Sequence, residues 1–177
     1  MAKKDQYLVN SRTGQSFLFL TTAKDSGGDI LEIESSYPPF SEEPPVHYHP
    51  AQEECFTIVS GDLTVRIHGE IKVYSPGDVL RIKPGVPHSM WNAGWSKTVV
   101  SWQVYPAMET EYFLETMVDL ANHGKTDEKG VPGLITMLHL LKTYKHVFRL
   151  FRPHFTILQI LFVLLAPVFF LRKGRKF

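Results

Sequence analysis

The chain has 177 residues but only one cysteine, Cys55. A single thiol cannot form an internal disulfide, which excludes a disulfide-stapled secreted fold and fits a reducing compartment such as the cytoplasm. Other signals are also missing. The first 20 residues lack the apolar core of a secretory leader, and neither a glycine-rich phosphate loop nor an internal repeat occurs. Hydrophobic residues make up 44% of the chain, which predicts a packed globular core.

Acidic residues are absent beyond Glu128. The chain has 18 Asp and Glu residues, all within residues 1–128, whereas nine of its 19 Lys and Arg residues follow Glu128. The formal net charge of +1 therefore hides an acidic body and a basic tail. This asymmetry predicts two separate roles within one chain.

Long helical patterns are absent between residues 6 and 105, where short β-rich runs alternate with turns rich in Pro, Gly, Ser and Asp. Strands of this length and spacing predict an antiparallel sandwich or barrel. The predicted strands are 15–22, 29–37, 46–49, 55–60, 63–68, 71–74, 79–82, 88–92 and 98–105.

The chain is predicted to have three parts. Residues 1–108 form the β-barrel, and residues 109–133 form a helix and a linker. That helix is predicted over 109–122, with Gly124 just past its end. Residues 134–177 form a basic, hydrophobic helical tail, so the expected fold is mainly β with C-terminal α-helices.

Three histidines and a glutamate in the β region have the spacing of metal ligands. His47 and His49 are two residues apart on a predicted strand, so both side chains point to the same face. A short turn leads to Glu53 and Glu54, which point to opposite faces of the next strand, so at most one of them is a ligand. His88 follows on a later strand. Three imidazoles and a carboxylate meeting inside a barrel can bind a first-row divalent metal and leave coordination positions open.

These residues resemble the first sequence motif of the cupin superfamily, HxH-x(3,4)-E-x(6)-G. His47 and His49 are followed by four residues, Glu54, six residues and Gly61. The resemblance favours Glu54 as the fourth ligand, because Glu54 has the motif's six-residue distance to the glycine. Glu53 is then expected on the solvent-facing side of the strand.

The second cupin motif, G-x5-P-x-G-x2-H-x3-N, is also similar to a stretch of this chain. Residues at the motif's spacing are Gly77, Gly85, His88 and Asn92. Lys83 stands where the motif usually has proline, and Ser41 stands where the first motif usually begins with glycine; both departures affect turns and not ligands. The short spacing between the motifs resembles small bacterial single-domain cupins. The resemblance implies one metal, commonly Fe, Mn, Ni or Zn, bound by His47, His49, Glu54 and His88.

Strand parity predicts a partly apolar pocket beside this site. If the ligating glutamate points inward, Phe56 and Ile58 do as well, and Met90 follows His88 in the same way. Asn92 either lines the cavity or hydrogen-bonds to the backbone at the barrel mouth. The alternative for the apolar residues is ordinary barrel packing, and residue type alone does not separate the two.

The resemblance implies a metal-dependent enzyme that acts on a small, partly apolar organic substrate. Oxygenation, isomerisation and decarboxylation all occur in the family, and nothing in the sequence chooses among them. The alternative is a non-catalytic module, attached to a membrane, that binds or senses a small ligand. No helix-turn-helix pattern precedes the barrel, so a nucleic-acid partner is not expected.

Residues 155–171 form a 17-residue apolar run that contains Pro167. A straight helix of that length would be about 26 Å long, slightly under a hydrocarbon core of about 30 Å. Residues 134–152 before it predict an amphipathic helix, basic on one face and aromatic and aliphatic on the other. Three alternatives remain: a membrane span, an anchor on the membrane surface, or soluble helices that pack on the barrel or across a homodimer. Membrane association through the tail is favoured, with the barrel on the cytoplasmic side.

Overall fold

The computed structural model describes residues 2–153, 156, 157 and 160. Within these residues the chain forms two antiparallel β-sheets and two helices. The elements are β1 (Tyr7–Val9), β2 (Ser16–Thr21), β3 (Leu31–Tyr37), β4 (His47–Tyr48), β5 (Glu53–Ser60), β6 (Leu63–Ile67), β7 (Glu70–Tyr74), β8 (Val79–Ile82), β9 (His88–Trp91), β10 (Thr98–Tyr105), α1 (Thr110–Asn122), α2 (Leu134–Thr143) and β11 (Arg149–Leu150).

One sheet has six strands in the order β1-β2-β3-β10-β5-β8, and the other has five in the order β11-β4-β9-β6-β7. The strands alternate between core and solvent, as a half-buried antiparallel sheet requires. On β3, for example, Leu31 and Ile33 are fully buried while Glu34 between Ile33 and Ser35 is exposed. Inward side chains from both sheets form one hydrophobic core, which makes the architecture a mainly β, jelly-roll barrel.

Gly61 makes the tight turn from β5 to β6. Its φ angle is +68°, in the left-handed region that favours glycine. A Cβ atom at this position would lie 2.5 Å from the carbonyl oxygen of Lys97 and 2.9 Å from the Cα of Thr98. The backbone before β10 therefore approaches Gly61 too closely for any side chain.

Gly61→Ala is expected to lower the free energy of unfolding by roughly 3 kcal/mol, because left-handed strain and a backbone clash add together. Gly69→Ala is the matched control. Gly69 also has a positive φ, +90°, but a Cβ atom added there would meet no described residue within 4 Å apart from its chain neighbours. Its cost should therefore be about 1 kcal/mol. Urea unfolding of both variants measures the difference. Equal losses of stability would contradict the close approach at Gly61.

Each predicted strand is present, with ends that differ by no more than two residues from the prediction. Two strands were not predicted. The first, β1, is three residues long and pairs with β2. Its residues Tyr7 and Val9 are apolar but exposed, and Leu8 between them is apolar as well. The alternation of polar and apolar residues that marks a strand is therefore missing. The second, β11, lies in the predicted helical tail.

The first predicted helix is confirmed, since α1 begins one residue later than expected and ends at the same residue. Gly124 follows its end with φ +69°, and the N–H of Lys125 donates to the carbonyl oxygen of Leu120 at 2.8 Å. A left-handed glycine with this long return hydrogen bond is a common helix ending.

The prediction of one amphipathic helix over residues 134–152 is wrong. Helix α2 ends at Thr143, a turn follows at Tyr144, and β11 then pairs with β4. The physical reason is tertiary: β4 would otherwise be a sheet edge with unpaired backbone groups, and β11 satisfies them. The apolar face of α2 is also not free for a membrane surface, because Leu138, Leu140 and Leu141 are buried.

Among the residues that the structure describes, none belongs to a helix both long and apolar enough to cross a membrane. The predicted apolar run over 155–171 lies outside the described residues except at Thr156, Ile157 and Ile160.

Candidate metal centre

The short strand β4 lies next to β9, and this pairing brings the histidines together. His47 and His88 are directly opposite each other in the antiparallel register. His49 follows two residues after His47 and points to the same side of the sheet. One ring nitrogen from each of the three imidazoles lies within 4.8 Å of those of the other two. His49 and His88 are buried, at 6% and 1% exposure.

Each imidazole is held through its Nδ1 atom by a backbone carbonyl. The Nδ1 atoms of His47 and His88 lie 3.0 and 2.9 Å from the carbonyl oxygens of the residues two positions before them. His49 Nδ1 lies 2.7 Å from the carbonyl oxygen of Val147, which comes from the C-terminal part of the chain. A carbonyl oxygen can only accept, so in all three rings Nδ1 carries a hydrogen and donates it. In each neutral ring Nε2 then carries no hydrogen and has a free lone pair.

Glu54 supplies a buried carboxylate beside these lone pairs. Its Oε1 lies 3.3 Å from Nε2 of His49, and its Oε2 lies 3.1 Å from Nε2 of His88. Neither Nε2 atom, nor Oε2 of Glu54, has a hydrogen-bond partner among the described residues. Unprotonated nitrogens and a carboxylate repel one another at these distances, so a cation is needed between them, either a proton on an imidazole or a metal ion.

The preceding residue, Glu53, faces away from the site. It is half-buried at the surface, and its Oε1 accepts a hydrogen bond from Arg81 at 3.2 Å. Glu54, in contrast, is 1% exposed and lies between the histidines. The structure therefore places Glu54 and not Glu53 with the three histidines, as the cupin spacing implies.

Two of the imidazoles are neutral and the carboxylate is ionised. Burial, together with the nearby imidazoles, lowers the pKa of His47 to about 3, and burial lowers the pKa of His49. Burial alone would raise the pKa of Glu54, but the neighbouring histidines outweigh it and the pKa falls to about 2. Two neutral imidazoles and an ionised carboxylate are the states that metal ligands need.

His88 differs from the other two histidines. Burial opposes the charged form of its ring, but the negatively charged carboxylate of Glu54, 3.1 Å from Nε2, outweighs that effect and raises the pKa of His88. In the metal-free protein a proton is therefore most favourable on His88. His88 would have to be without this proton on Nε2 to hold a metal there.

Trp102 orients the carboxylate and was not predicted as part of the site. Its Nε1–H donates to Oε1 of Glu54 at 3.1 Å, and its ring stacks on Phe56 with centroids 5.6 Å apart. Alternation along β10 indicates that this side chain points inward, but no pattern in the sequence indicates which inward residue it contacts. Hydrogen bonds of this kind to a metal ligand fix its position and tune its affinity.

Trp102→Phe is expected to weaken metal binding about tenfold, because it removes the N–H donor and keeps an aromatic ring to pack against Phe56. Competition against a chelating dye measures the affinity. Trp91→Phe is the control, since the ring of Trp91 lies 5.8 Å from the guanidinium of Arg66 and not beside Glu54. An unchanged affinity in Trp102→Phe would mean that the indole does not orient the ligand.

The predicted pocket residues all lie inside the barrel. Phe56 and Ile58 are 1% exposed and Met90 is 7% exposed, and all three belong to the hydrophobic core. Asn92 is fully buried, and its amide group is used by loop backbone: Nδ2 donates to three carbonyl oxygens and Oδ1 accepts from Gly94. This bonding corresponds to the second of the two roles predicted for Asn92.

Gln52 anchors the turn that separates His49 from Glu54. Its side chain is 1% exposed, and Nε2 donates to the carbonyl oxygen of Ala107 at 3.0 Å and to Oγ1 of Thr110 at 2.7 Å. These bonds tie the turn to the start of α1 and so fix the positions of the two candidate ligands on either side of it. A polar residue in a turn is usually solvated, and for that reason no sequence pattern indicates this role.

The two antiparallel sheets form a double-stranded β-helix, and three histidines and a glutamate lie together inside it. Residues 34–103 match the family model of the cupin domain, a stretch that contains β4, β5 and β9 and all four candidate ligands. This part of the chain therefore matches a cupin domain, and the mainly β, cupin-like fold predicted from the sequence is confirmed.

A curated protein is similar in sequence to about half of this chain. An oxidoreductase of Arthrobotrys oligospora is 33% identical over 85 residues, which cover 48% of this chain. The same alignment covers 32% of that relative, so this chain spans about a third of its length.

Solved structures resemble the barrel at low sequence identity. A predicted oxalate decarboxylase of Thermotoga maritima is 20% identical, covers 58% of this chain and 92% of its own, and has a TM-score of 0.51. A cupin-superfamily sugar phosphate isomerase of Silicibacter pomeroyi is 18% identical, covers 59% of this chain and 75% of its own, and has a TM-score of 0.50. These likenesses show the shared fold.

Proposed function

We propose that this protein is a metal-dependent enzyme in which His47, His49, Glu54 and His88 hold one divalent transition metal. The observation that carries the proposal is the set of buried ligand atoms without hydrogen-bond partners among the described residues, Nε2 of two histidines and Oε2 of the glutamate. A donor set of imidazole nitrogens and one carboxylate suits Fe, Mn, Ni or Zn. The Nδ1 hydrogen bonds to carbonyl oxygens support it further, because second contacts of this kind orient histidine ligands.

The surrounding residues favour a small, partly apolar organic substrate. When bound, the metal would supply a Lewis acid with an open position for substrate or O₂. Phe56, Ile58 and Met90 lie on the same strand faces as the ligands and would contact the apolar part of the substrate and exclude water. Glu54 holds a negative charge at the site through its contacts with His49 and His88.

Oxygenation, isomerisation and decarboxylation remain the candidate reactions. The relative from Arthrobotrys oligospora carries the name oxidoreductase, and its similarity over 85 residues favours redox chemistry. The alternative function is a binding or sensing module that holds a ligand in the same place without turnover. The fold is compatible with both.

Metal content and product formation test the proposal. Protein purified without added metal should contain a transition metal, identified by elemental analysis. Incubation with small carboxylic acids, dicarbonyl compounds and sugar derivatives should give O₂ uptake, CO₂ release or an isomer for at least one compound. That turnover should stop with a chelator and return with the native metal. Reversible ligand binding without product would favour the sensing module, and a protein that takes up no metal would refute the proposal.

We also infer that residues 155–171 attach the protein to a membrane. Two residues support this: Ile157 and Ile160 are 50% and 55% exposed, so each of these apolar residues of the run presents about half of its surface to solvent. Four basic residues follow the run, Arg172, Lys173, Arg175 and Lys176. They would be attracted to anionic lipid headgroups.

The full chain is therefore expected to sediment with membranes and to stay in the pellet after a high-salt wash, which shortens the Debye length and releases proteins held by charge alone. Leu161→Asp with Leu164→Asp should move the protein to the supernatant. Leu134→Asp with Ile71→Asp is the matched control, because it adds the same charge at exposed apolar positions outside the run. A full chain that is monodisperse without detergent would contradict membrane attachment.

A further inference from the structure

The candidate metal centre is completed by a part of the chain that lies outside the cupin match. β11 adds to the five-stranded sheet beside β4, with Leu150 opposite His47 and Arg149 opposite Tyr48. One residue further on, the N–H of Phe151 donates to the carbonyl oxygen of Val46 at 2.9 Å. We call residues 147–151 the cap segment. Its backbone pairs with β4, the strand that carries His47. Without the cap segment, β4 would be an edge strand of the sheet.

Phe148 in the cap segment lies against the histidines. Its ring stacks on His47 with centroids 4.7 Å apart and planes 26° apart, and it meets His49 edge-on at 6.2 Å. The Phe148 ring also stacks on Phe113 of α1 at 4.8 Å. Phe148 is thus held between the barrel and α1, in contact with two of the four candidate ligands.

The residue before Phe148 makes the other contact of the cap segment with the site. Val147 is fully buried, and its carbonyl oxygen accepts the hydrogen bond from Nδ1 of His49. Phe148 also belongs to a second hydrophobic cluster with Leu138, Leu141 and Leu150. Packing against α2 and pairing with β4 therefore fix Phe148 on the histidines from two directions.

We propose that Phe148 is a specificity-determining residue, which covers the His47 side of the metal centre and restricts access there to small ligands. The proposal rests on the proposed metal site. An aromatic ring over a ligand face excludes water and leaves no space for a bulky substituent on that side. Small anions such as azide should still reach the metal, while ligands that carry an aryl group beside the donor atom should be hindered.

Co²⁺-loaded protein tests this through its visible absorption, which changes when an added ligand binds the metal. We expect Phe148→Ala to bind 4-phenylimidazole at least about tenfold more tightly than the unaltered protein, and azide within about twofold. Phe151→Ala is the matched control, since Phe151 lies in the same segment but is 43% exposed. It should change neither affinity. Equal changes for both ligands in Phe148→Ala, or no change for either, would overturn the proposal.

Further variants separate a local effect from a general loss of structure. Phe148→Leu keeps an apolar side chain and should restore most of the discrimination between the two ligands. Phe113→Ala removes the ring that supports Phe148 and should give a change in the same direction as Phe148→Ala, but smaller. If Phe148→Ala does not fold, Phe113→Ala and Phe148→Leu decide the question, and discrimination unchanged in Phe113→Ala would count against the proposal.

A metal-free measurement distinguishes failure of this proposal from failure of the metal site. Diethyl pyrocarbonate modifies accessible imidazoles, and mass spectrometry gives the rate at each histidine. In apo protein Phe148→Ala should raise the rate at His47 several-fold and leave the rate at the exposed His68 unchanged. A protein that binds no Co²⁺ but shows this increase refutes the metal proposal and supports the covering role of Phe148. An unchanged rate at His47 refutes the covering role.

Discussion

Replacing His47 and His88 together by alanine is expected to remove bound metal almost completely, from about one ion per chain to less than about a tenth. The two side chains face each other across β4 and β9, so the double replacement removes two of the three imidazoles from one wall of the site. Elemental analysis after gel filtration measures the loss. The remaining proposed ligands, His49 and Glu54, are too few to hold a divalent ion against buffer and chelators.

The control for this variant replaces two histidines that are exposed, His68 and His123. The second of these pairs with Asp119 at the end of α1, far in sequence from any candidate ligand. This double variant should keep the full metal content and the same unfolding transition. Full occupancy in the His47→Ala/His88→Ala protein would eliminate the proposed site.

Glu54→Gln is expected to weaken metal binding roughly a hundredfold, whereas Glu53→Gln should leave it within about twofold. The two positions are adjacent and undergo the same chemical change, so each is the control of the other. Glu54 is the proposed anionic ligand and is buried against two histidines, while Glu53 pairs with Arg81 at the surface. Titration of apo protein with Zn²⁺ or Co²⁺ against a competing chelator gives both affinities.

The reverse order of these effects would mean that the register of β5 is displaced by one residue. Phe56 and Ile58 share the face of Glu54, so they would leave the interior together with it. The comparison therefore tests the assignment of the carboxylate and the predicted pocket in a single experiment.

Much of the barrel could be predicted because its strands alternate between core and solvent and are bounded by turn residues. β10 alternates between buried and less buried residues over its whole length, and turn residues bound the strands at both ends. The HxH pair is equally local, because two residues on one strand share a face whatever their partners are. Strand alternation alone does not decide between Glu53 and Glu54, because either of these adjacent residues could face inward. Only the motif spacing favours Glu54.

The contributions of the C-terminal region could not be predicted for a physical reason. Residues 144–151 carry basic and aromatic residues at helical spacing, but the unpaired backbone of β4 offers hydrogen bonds that depend on the fold as a whole. Val147 acts through its carbonyl oxygen, a group that every residue has, so its side chain carries no signal. The helical spacing predicts Phe148 on the apolar face of a helix, whereas in the structure its ring packs against the histidines.

The pairing of β11 with β4 also limits how far the metal centre can be from whatever holds the tail. Leu150 lies opposite His47, and the apolar run begins at residue 155, five residues later. Five residues span at most about 18 Å even when fully extended. Any bilayer or protein surface that binds the start of the run is therefore tethered within that distance of Leu150 on β11, the strand next to β4. A substrate released at that surface would have only a short path to the histidines, and its local concentration there would be set by the tether and not by the bulk solution.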